Sequence, residues 1–174
     1  MKLLLVDGYN VLRSSDLYSH LTREMPDHTH DAFNRARQAL LGDVATFAGR
    51  EYEATVVFDG GGNPLSTGEP RDVAGVCVIF SPAGTTADSV IEGLARTAVE
   101  QGREVLVVTS DAATQWTVLR KRVTRMSAAG FADEMRRIRQ EVTETAEQQV
   151  GKTTLAQRLD ARTRETLERL ARGE

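Results

Sequence analysis

Short apolar runs alternate along this chain with segments whose apolar residues recur every three or four positions. The runs are rich in Val and Leu with few polar interruptions, which is typical of parallel strands buried on both faces. They cover residues 2–6, 54–58, 76–80 and 105–109, with a weaker candidate at 123–126. The helical spacing predicts helices over residues 31–50, 87–101 and 128–148. This alternation predicts an α/β fold with a mainly parallel sheet of about five strands.

Two stretches lack a clear pattern. Residues 13–30 are expected to form a loop or a short helix, and residues 60–74, which open with Gly60, Gly61 and Gly62, a flexible loop. That glycine run lacks the Gly-Lys-Ser/Thr ending of a Walker phosphate loop. After about residue 150 a polar helix with a thin leucine stripe follows. We therefore expect a domain over residues 1–150 and a C-terminal helix over 151–174 that packs on it or extends from it.

Composition adds little beyond a single globular domain. The chain has 174 residues, 40% of them hydrophobic and 27% charged. One cysteine, Cys77, cannot form a disulfide within the chain, which fits a reducing compartment. The N-terminal apolar run is interrupted by Asp7 and is too short for a signal peptide or a membrane span. We expect a cytoplasmic protein without a membrane partner.

The distribution of charge is more informative than its sum of -3. Residues 1–116 hold 9 Lys/Arg and 16 Asp/Glu, a net charge of -7, whereas residues 117–174 hold 13 and 9, a net charge of +4. An acidic body with a basic C-terminal third is expected if metal binds one part and phosphate the other. Two solvated helical faces would give the same asymmetry.

Acidic residues follow the predicted strands at the points where those strands end. Asp7 and Asp59 come directly after two of them, Asp111 comes two residues after a third, and Asp88 opens the helix after a fourth. The carboxyl ends of parallel strands share one edge of a sheet, where ligands bind in open α/β folds. Four carboxylates there require a cation, and hard oxygen ligands suit Mg²⁺ or Mn²⁺.

Each acid also has a purely structural explanation. Asp111 resembles a helix N-cap, and Asp88 stands three residues after Thr85, where an acid can complete a capping box. Asp59 precedes three glycines and suits a turn. Glu92, four residues after Asp88, lies on the same helix face and is either a support for the site or a solvent-facing acid. Together the acids favour a metal site, since no fold needs an acid at every strand end.

The motifs around these acids resemble a known family. Asp7-Gly8-Tyr9-Asn10 is similar to the signature of the NYN ribonucleases, which belong to the PIN-like superfamily. The ordered segments that follow resemble the bacterial YacP-like branch of that family: residues 86–92 (Thr-Ala-Asp-Ser-Val-Ile-Glu), 109–111 (Thr-Ser-Asp) and 115–117 (Gln-Trp-Thr). The similarity runs from about residue 2 to residue 139.

The resemblance implies a three-layer α/β/α sandwich and cleavage of RNA that depends on Mg²⁺ or Mn²⁺. One member of the branch is a ribosome-dependent mRNA endonuclease, so ribosome-bound mRNA is a candidate substrate. By motif match, the catalytic positions are Asp7, Asn10, Asp88 and Asp111. Metal would be bound by Asp7, Asp88 and Asp111, and by Asp59 if that position follows the family pattern.

Other polar residues are candidates for supporting the site. Thr109 and Ser110 could donate hydrogen bonds to a phosphate, and Glu92 could support the site from the helix face that it shares with Asp88. A basic cluster begins soon after Asp111 and would hold the RNA backbone unless it is only a solvated helix face: Arg120, Lys121, Arg122 and Arg125.

Two other functions remain open at this stage. A phospho-acceptor signalling domain has a similar sheet, but it requires paired acids after the first strand, and here Asp7 is followed by Gly8. A non-catalytic adaptor that binds RNA or the ribosome could share the fold. Dependence of RNA cleavage on Mg²⁺ or Mn²⁺ would distinguish the nuclease from both.

Overall fold

The computed structural model describes residues 1–19, 21, 30–60, 66–110 and 122–146, with residues 30–33 described by backbone alone. The strands are β1 (Lys2–Asp7), β2 (Tyr52–Phe58), β3 (Arg71–Val73), β4 (Val76–Phe80), β5 (Val105–Val108) and β6 (Val123–Met126). The helices are α1 (Gly8–Ser14), α2 (His30–Ala48), α3 (Ala87–Glu100) and α4 (residues 128–146), with a 3₁₀ turn at Asp16–Tyr18.

The described strands form one sheet in the order β3-β4-β2-β1-β5-β6. All of them are parallel except β3, which pairs antiparallel with β4. The carboxyl ends of the parallel strands form one edge of the sheet, the carboxyl edge, and their amino ends form the opposite amino edge. The chain goes from β1 to β2 on one side and later returns to β5 on the other. This change of direction places the switch point at the carboxyl ends of β1 and β5, where open α/β sheets bind ligands.

Both faces of the sheet are covered, because alternate residues of each buried strand point to opposite faces. On one face, Leu3 and Leu5 pack with Ile91 and Ala95 of α3. Helices α1 and α2 pack against the other face, and Phe47 of α2 contacts Phe131 of α4 with ring centroids 5.4 Å apart. The predicted three-layer α/β/α sandwich with a mainly parallel sheet is confirmed.

Two elements differ from the sequence prediction. Helix α1 starts immediately after β1, where the apolar pattern predicts no helix. Strand β3 lies in the stretch predicted to be a loop, and it joins β4 through a two-residue turn, Ala74-Gly75, with φ of 54° and 81°. Both turn residues are left-handed, as a type I′ hairpin requires. The sheet therefore has an antiparallel edge strand in addition to the five parallel strands that were predicted.

By contacts the chain divides into two compact units, Met1–Met135 and Arg136–Glu174. The sheet, helices α1 to α3 and residues 128–135 of α4 belong to the first unit. Of the second unit, residues 136–146 are described; they are helical and carry an ion pair between Arg137 and Glu141 at 3.8 Å. The predicted C-terminal helix over residues 151–174 lies outside the described residues. In the described part of the chain, no helix is long and apolar enough to cross a membrane.

Candidate active site

Asp7 is the last residue of β1 and at the same time the N-cap of α1. Its Oδ1 accepts a hydrogen bond from the backbone N–H of Asn10 at 3.0 Å, which satisfies one of the free donors at the start of the helix. The next residue must be glycine, because a Cβ at Gly8 would overlap the ring of Phe58. Asp7 is only 8% exposed, so its carboxylate is held at the carboxyl edge with little freedom.

Asn10 connects the two strands at the switch point. Its side-chain Oδ1 accepts a hydrogen bond from the backbone N–H of Ser110, just after β5, at 2.8 Å. The Oγ of Ser110 accepts in turn from the backbone N–H of Ala128, the first residue of α4, at 3.3 Å. A short chain of hydrogen bonds thus ties α1, the end of β5 and the start of α4 together at the carboxyl edge.

Two further acids face Asp7 across a cleft, which we call the acidic cleft. Asp59 is exposed directly after β2, and Asp88 is exposed in the first turn of α3. The cleft has a volume of about 440 Å³ and is lined by Asp7, Tyr9, Asn10, Arg13, Ser14, Asp59, Thr86, Ala87 and Asp88. Three of the four predicted acids therefore lie around one cavity, and the fourth, Asp111, lies outside the described residues.

Asp88 does not form the capping box with Thr85 that its spacing allowed. The N-cap of α3 is Thr86, whose Oγ1 accepts from the backbone N–H of Ser89 at 3.2 Å and lies 3.0 Å from the Ser89 hydroxyl. Asp88 is one position too early to complete this box with Thr86. Its charge still favours the helix dipole, but another residue caps the helix.

The electrostatics of the cleft show in the pKa of Asp7, which is raised above its ordinary value of 3.8. Burial is the largest cause, since it disfavours the charged form. The Asn10 N–H opposes this shift, whereas the negative charges of Asp88 and Asp59 increase it; the positive charge of Arg13 lowers the pKa again. Three carboxylates therefore share one region and repel one another there.

The donor set of the acidic cleft can be compared with the needs of a divalent ion. Among the described residues, no three His, Cys, Asp or Glu side chains are close enough to hold one metal ion together. The acids of the cleft offer oxygen atoms only, which suits Mg²⁺ or Mn²⁺ rather than softer metals. Mg²⁺ commonly keeps several waters and binds through one or two carboxylates, so this donor set fits it in kind.

Several predicted residues lie away from the cleft lining. Glu92 pairs with Arg96 at 2.9 Å on α3. Thr109 is 2% exposed, and its backbone N–H donates to the Met126 carbonyl. Arg122 is at the amino edge, where its guanidinium donates to the Gly102 carbonyl at 2.6 Å, so the length of β6, about 13 Å, separates it from the carboxyl edge.

Of the remaining predicted RNA-binding residues, Arg125 is exposed on β6, one residue before the carboxyl edge. Arg120 and Lys121 lie outside the described residues. Their role and that of Arg125 in holding RNA stay predictions.

Tyr9 and Arg13 line the cleft although the sequence pattern did not single them out. They are four residues apart on α1, and the Arg13 guanidinium lies 5.6 Å from the centre of the Tyr9 ring. A helix starting at Gly8 would have placed both on one face, so their spacing carries a usable signal once α1 is known. Arg13 brings a positive charge to a cleft whose other charged lining residues are the three acids.

The chain belongs to the YacP-like NYN domain family, whose model matches residues 4–172. It is 30% identical over its whole length to the uncharacterized protein YacP of Bacillus subtilis, covering 99% of that protein. Among solved structures it is similar to Rae1 (YacP) from B. subtilis, with 30% identity, 99% of this chain and 96% of that chain covered, and a TM-score of 0.59. A tryptophan-to-leucine variant of the same protein gives a TM-score of 0.64 at 27% identity, over 86% and 83% of the two chains. Membership of this family implies a nuclease-like function on RNA.

Proposed function

We propose that the chain is an endoribonuclease that requires Mg²⁺ or Mn²⁺ and hydrolyses phosphodiester bonds of RNA in the cytoplasm, with ribosome-bound mRNA as one candidate substrate. The observation that supports this most directly is the acidic cleft, in which Asp7, Asp59 and Asp88 surround one cavity at the carboxyl edge of the sheet. Carboxylates this close repel one another, and a bound cation would offset that repulsion.

In this proposal Asp7, Asp59 and Asp88 serve the cation together with Asp111, one or two of them as direct ligands and the others through metal-bound water, since no three of the described acids are close enough to share one ion directly. A bound divalent ion would make an attacking water more acidic and neutralise charge on the phosphoryl oxygens. The chain supplies the geometry: the N-cap bond from Asn10 fixes the Asp7 carboxylate, and the bond from Ser110 to Asn10 keeps the end of β5 beside it. Arg13, at the rim of the cleft, is placed to pair with a non-bridging phosphate oxygen.

A phospho-acceptor function is disfavoured by the family to which the chain belongs, whereas a non-catalytic RNA- or ribosome-binding adaptor is the alternative that an activity test must exclude. The test is cleavage of single-stranded RNA, and of mRNA on ribosomes, with Mg²⁺, with Mn²⁺ and with chelator. We expect cleavage only when a divalent ion is present. An adaptor would bind RNA without cutting it under any of these conditions.

Asp88→Asn is the most informative variant for this test. It removes one charge, nearly keeps the shape, and leaves the Thr86 cap of α3 intact, so the fold should persist while cleavage falls by orders of magnitude. Glu100→Gln is a matched control, since Glu100 is an exposed acid at the opposite end of the same helix. Wild-type cleavage by Asp88→Asn would remove this residue from the active site.

A further inference from the structure

A second cleft lies at the same carboxyl edge, beyond the acidic cleft, beside the end of β4. It has a volume of about 310 Å³. Because β3 runs antiparallel to β4, the start of β3 is the end nearer to this edge; Arg71 pairs with Val78, two residues before the end of β4. The side chains that define the second cleft are mostly charged or hydroxyl-bearing: Arg37, Ser66, Thr67, Glu69, Arg71 and Phe80.

An aromatic row connects the two clefts. The ring of Tyr9 meets Phe58 edge-on at 5.1 Å, and Phe58 stacks on Phe80 at 5.4 Å. An arginine lies over the ring at each end of the row: the Arg13 guanidinium is 5.6 Å from the centre of the Tyr9 ring, and the Arg37 guanidinium is 5.7 Å from the centre of the Phe80 ring. The same packing therefore places one arginine in the acidic cleft and another in the second cleft.

The wall of the second cleft is fixed by hydrogen bonds to the segment that follows β4. Ser66 Oγ donates to the Ser81 carbonyl at 2.8 Å, and the Ser66 carbonyl accepts from the backbone N–H of Ala83 at 3.2 Å. Thr67 Oγ1 accepts from the backbone N–H of Glu69 at 3.4 Å, which leaves its own proton to donate to a ligand. These hydrogen bonds therefore fix the position of the hydroxyl groups that line the second cleft.

The chemistry of the second cleft fits a phosphate group. Arg37 and Arg71 carry guanidinium groups, whose planar set of donors matches phosphate oxygens, and Thr67 adds a hydroxyl donor. Glu69 is the one acid in the lining, so the cleft keeps a net positive charge. Charges and hydroxyls of this kind bind the backbone without reading the base.

We propose that the second cleft binds a phosphodiester group of the RNA strand whose neighbouring bond is cut in the acidic cleft. This inference rests on the proposed function, because it assumes that one RNA strand occupies both clefts and is cut in the acidic cleft. Asp7 and Phe80 lie on β1 and β4, which are separated by β2, so the two clefts are about 10 Å apart along the carboxyl edge. The RNA then runs across the ends of β1, β2 and β4 toward β3.

The test is the affinity for labelled single-stranded RNA in chelator, measured over a range of salt concentrations. For a double Arg37→Gln, Arg71→Gln variant we expect binding to weaken about tenfold, and the slope of log affinity against log salt to flatten by about 0.7 for each phosphate that is no longer bound. Glu69→Gln removes the acid of the cleft and should tighten binding. Arg50→Gln, an exposed arginine near the amino edge, is the matched control and should behave as wild type.

Misfolding cannot imitate the gain expected for Glu69→Gln, and the single Arg71→Gln variant changes only an exposed residue of the edge strand. Wild-type affinity and salt slope in the double variant would overturn the proposal, as would an absence of RNA binding by the wild type. In cleavage assays the deficit of the double variant should grow with RNA length, since longer RNA reaches the second cleft. If these variants change RNA binding but the protein cleaves no RNA, the proposed nuclease function is refuted and the phosphate site stands. If the protein cleaves RNA and the variants change neither binding nor cleavage, the nuclease function stands and the phosphate site is refuted.

Discussion

At the scale of single residues, Asp7 has two tasks that make opposite demands on its charge. As the N-cap of α1 it needs an acceptor oxygen, which an uncharged side chain can supply equally well. As a member of the acidic cleft it carries a charge that burial and the charges of Asp88 and Asp59 disfavour. A protein selected for stability alone would keep the cap and lose the charge. The charge of Asp7 is therefore consistent with the cation-binding role that we propose for this position.

The substitution Asp7→Asn separates the two tasks, because asparagine caps a helix about as well as aspartate. The folded-state pKa of Asp7 is raised, so the free energy of unfolding decreases as the pH rises from the ordinary value of 3.8 through the folded value, and stays reduced above it. In chelator at neutral pH, Asp7→Asn should therefore melt at a higher temperature than wild type. The difference should shrink as the pH is lowered toward 3.8. A lower melting temperature for the variant at neutral pH would contradict this interpretation of the cleft.

At the scale of elements, what could be predicted from the sequence follows from how strongly each segment is patterned. The central strands are continuous apolar runs, and an acid at the end of such a run must lie at the carboxyl edge once the strands are parallel. Helix α1 has only seven residues, too few for a helical period to be seen, and the apolar side chains that it buries are few. Strand β3 has three residues, all exposed, so no alternation marks it.

The basic residues show a second limit of prediction from sequence without the fold. Arg122 and Arg125 are three positions apart, yet they lie near opposite edges of the sheet, because Arg122 precedes β6 and Arg125 is its third residue of four. A run of basic residues in the sequence therefore does not show at which edge of the sheet its side chains lie. Conversely, Arg37 and Arg71 are far apart in the sequence, and the packing of α2 and β3 against β4 brings them to one cleft.

The junction between α1 and β5 supports a prediction about elements. Asn10→Ala removes the acceptor for the Ser110 N–H, so the end of β5 loses its hydrogen bond to α1 beside the acidic cleft. Substitution of groups that orient ligands typically lowers activity by about ten- to a hundredfold, and we expect a loss of cleavage in this range. Gln38→Ala, an exposed amide on α2, serves as the control. Full cleavage by Asn10→Ala would show that the junction is structural only, provided that both variants melt like wild type.

At the scale of the whole molecule, the placement of charge couples stability to metal. Asp7, Asp59 and Asp88 converge on one cleft, and their repulsion opposes folding whenever no cation is bound. A ligand that binds only the folded state stabilises it by mass action, by about 2.7 kcal/mol at a hundred times its dissociation constant. A protein of the proposed function should thus be least stable in chelator and gain stability with divalent ions.

The measurement is the shift in melting temperature on addition of Mg²⁺, compared between wild type, Asp59→Asn and the control Glu100→Gln. Asp59 lies in the cleft and is exposed, so its neutralisation should cost little in folding while weakening the cation site. We expect Asp59→Asn to melt at or above wild type in chelator and to gain less from Mg²⁺, whereas Glu100→Gln should show the full wild-type gain. Mn²⁺ should rank the three proteins in the same order, since it shares the preference for oxygen ligands.

Equal Mg²⁺ shifts in all three proteins would mean that Asp59 is not a ligand and that its place after β2 serves only the turn. No shift in any of them would count against a cation site in the acidic cleft altogether.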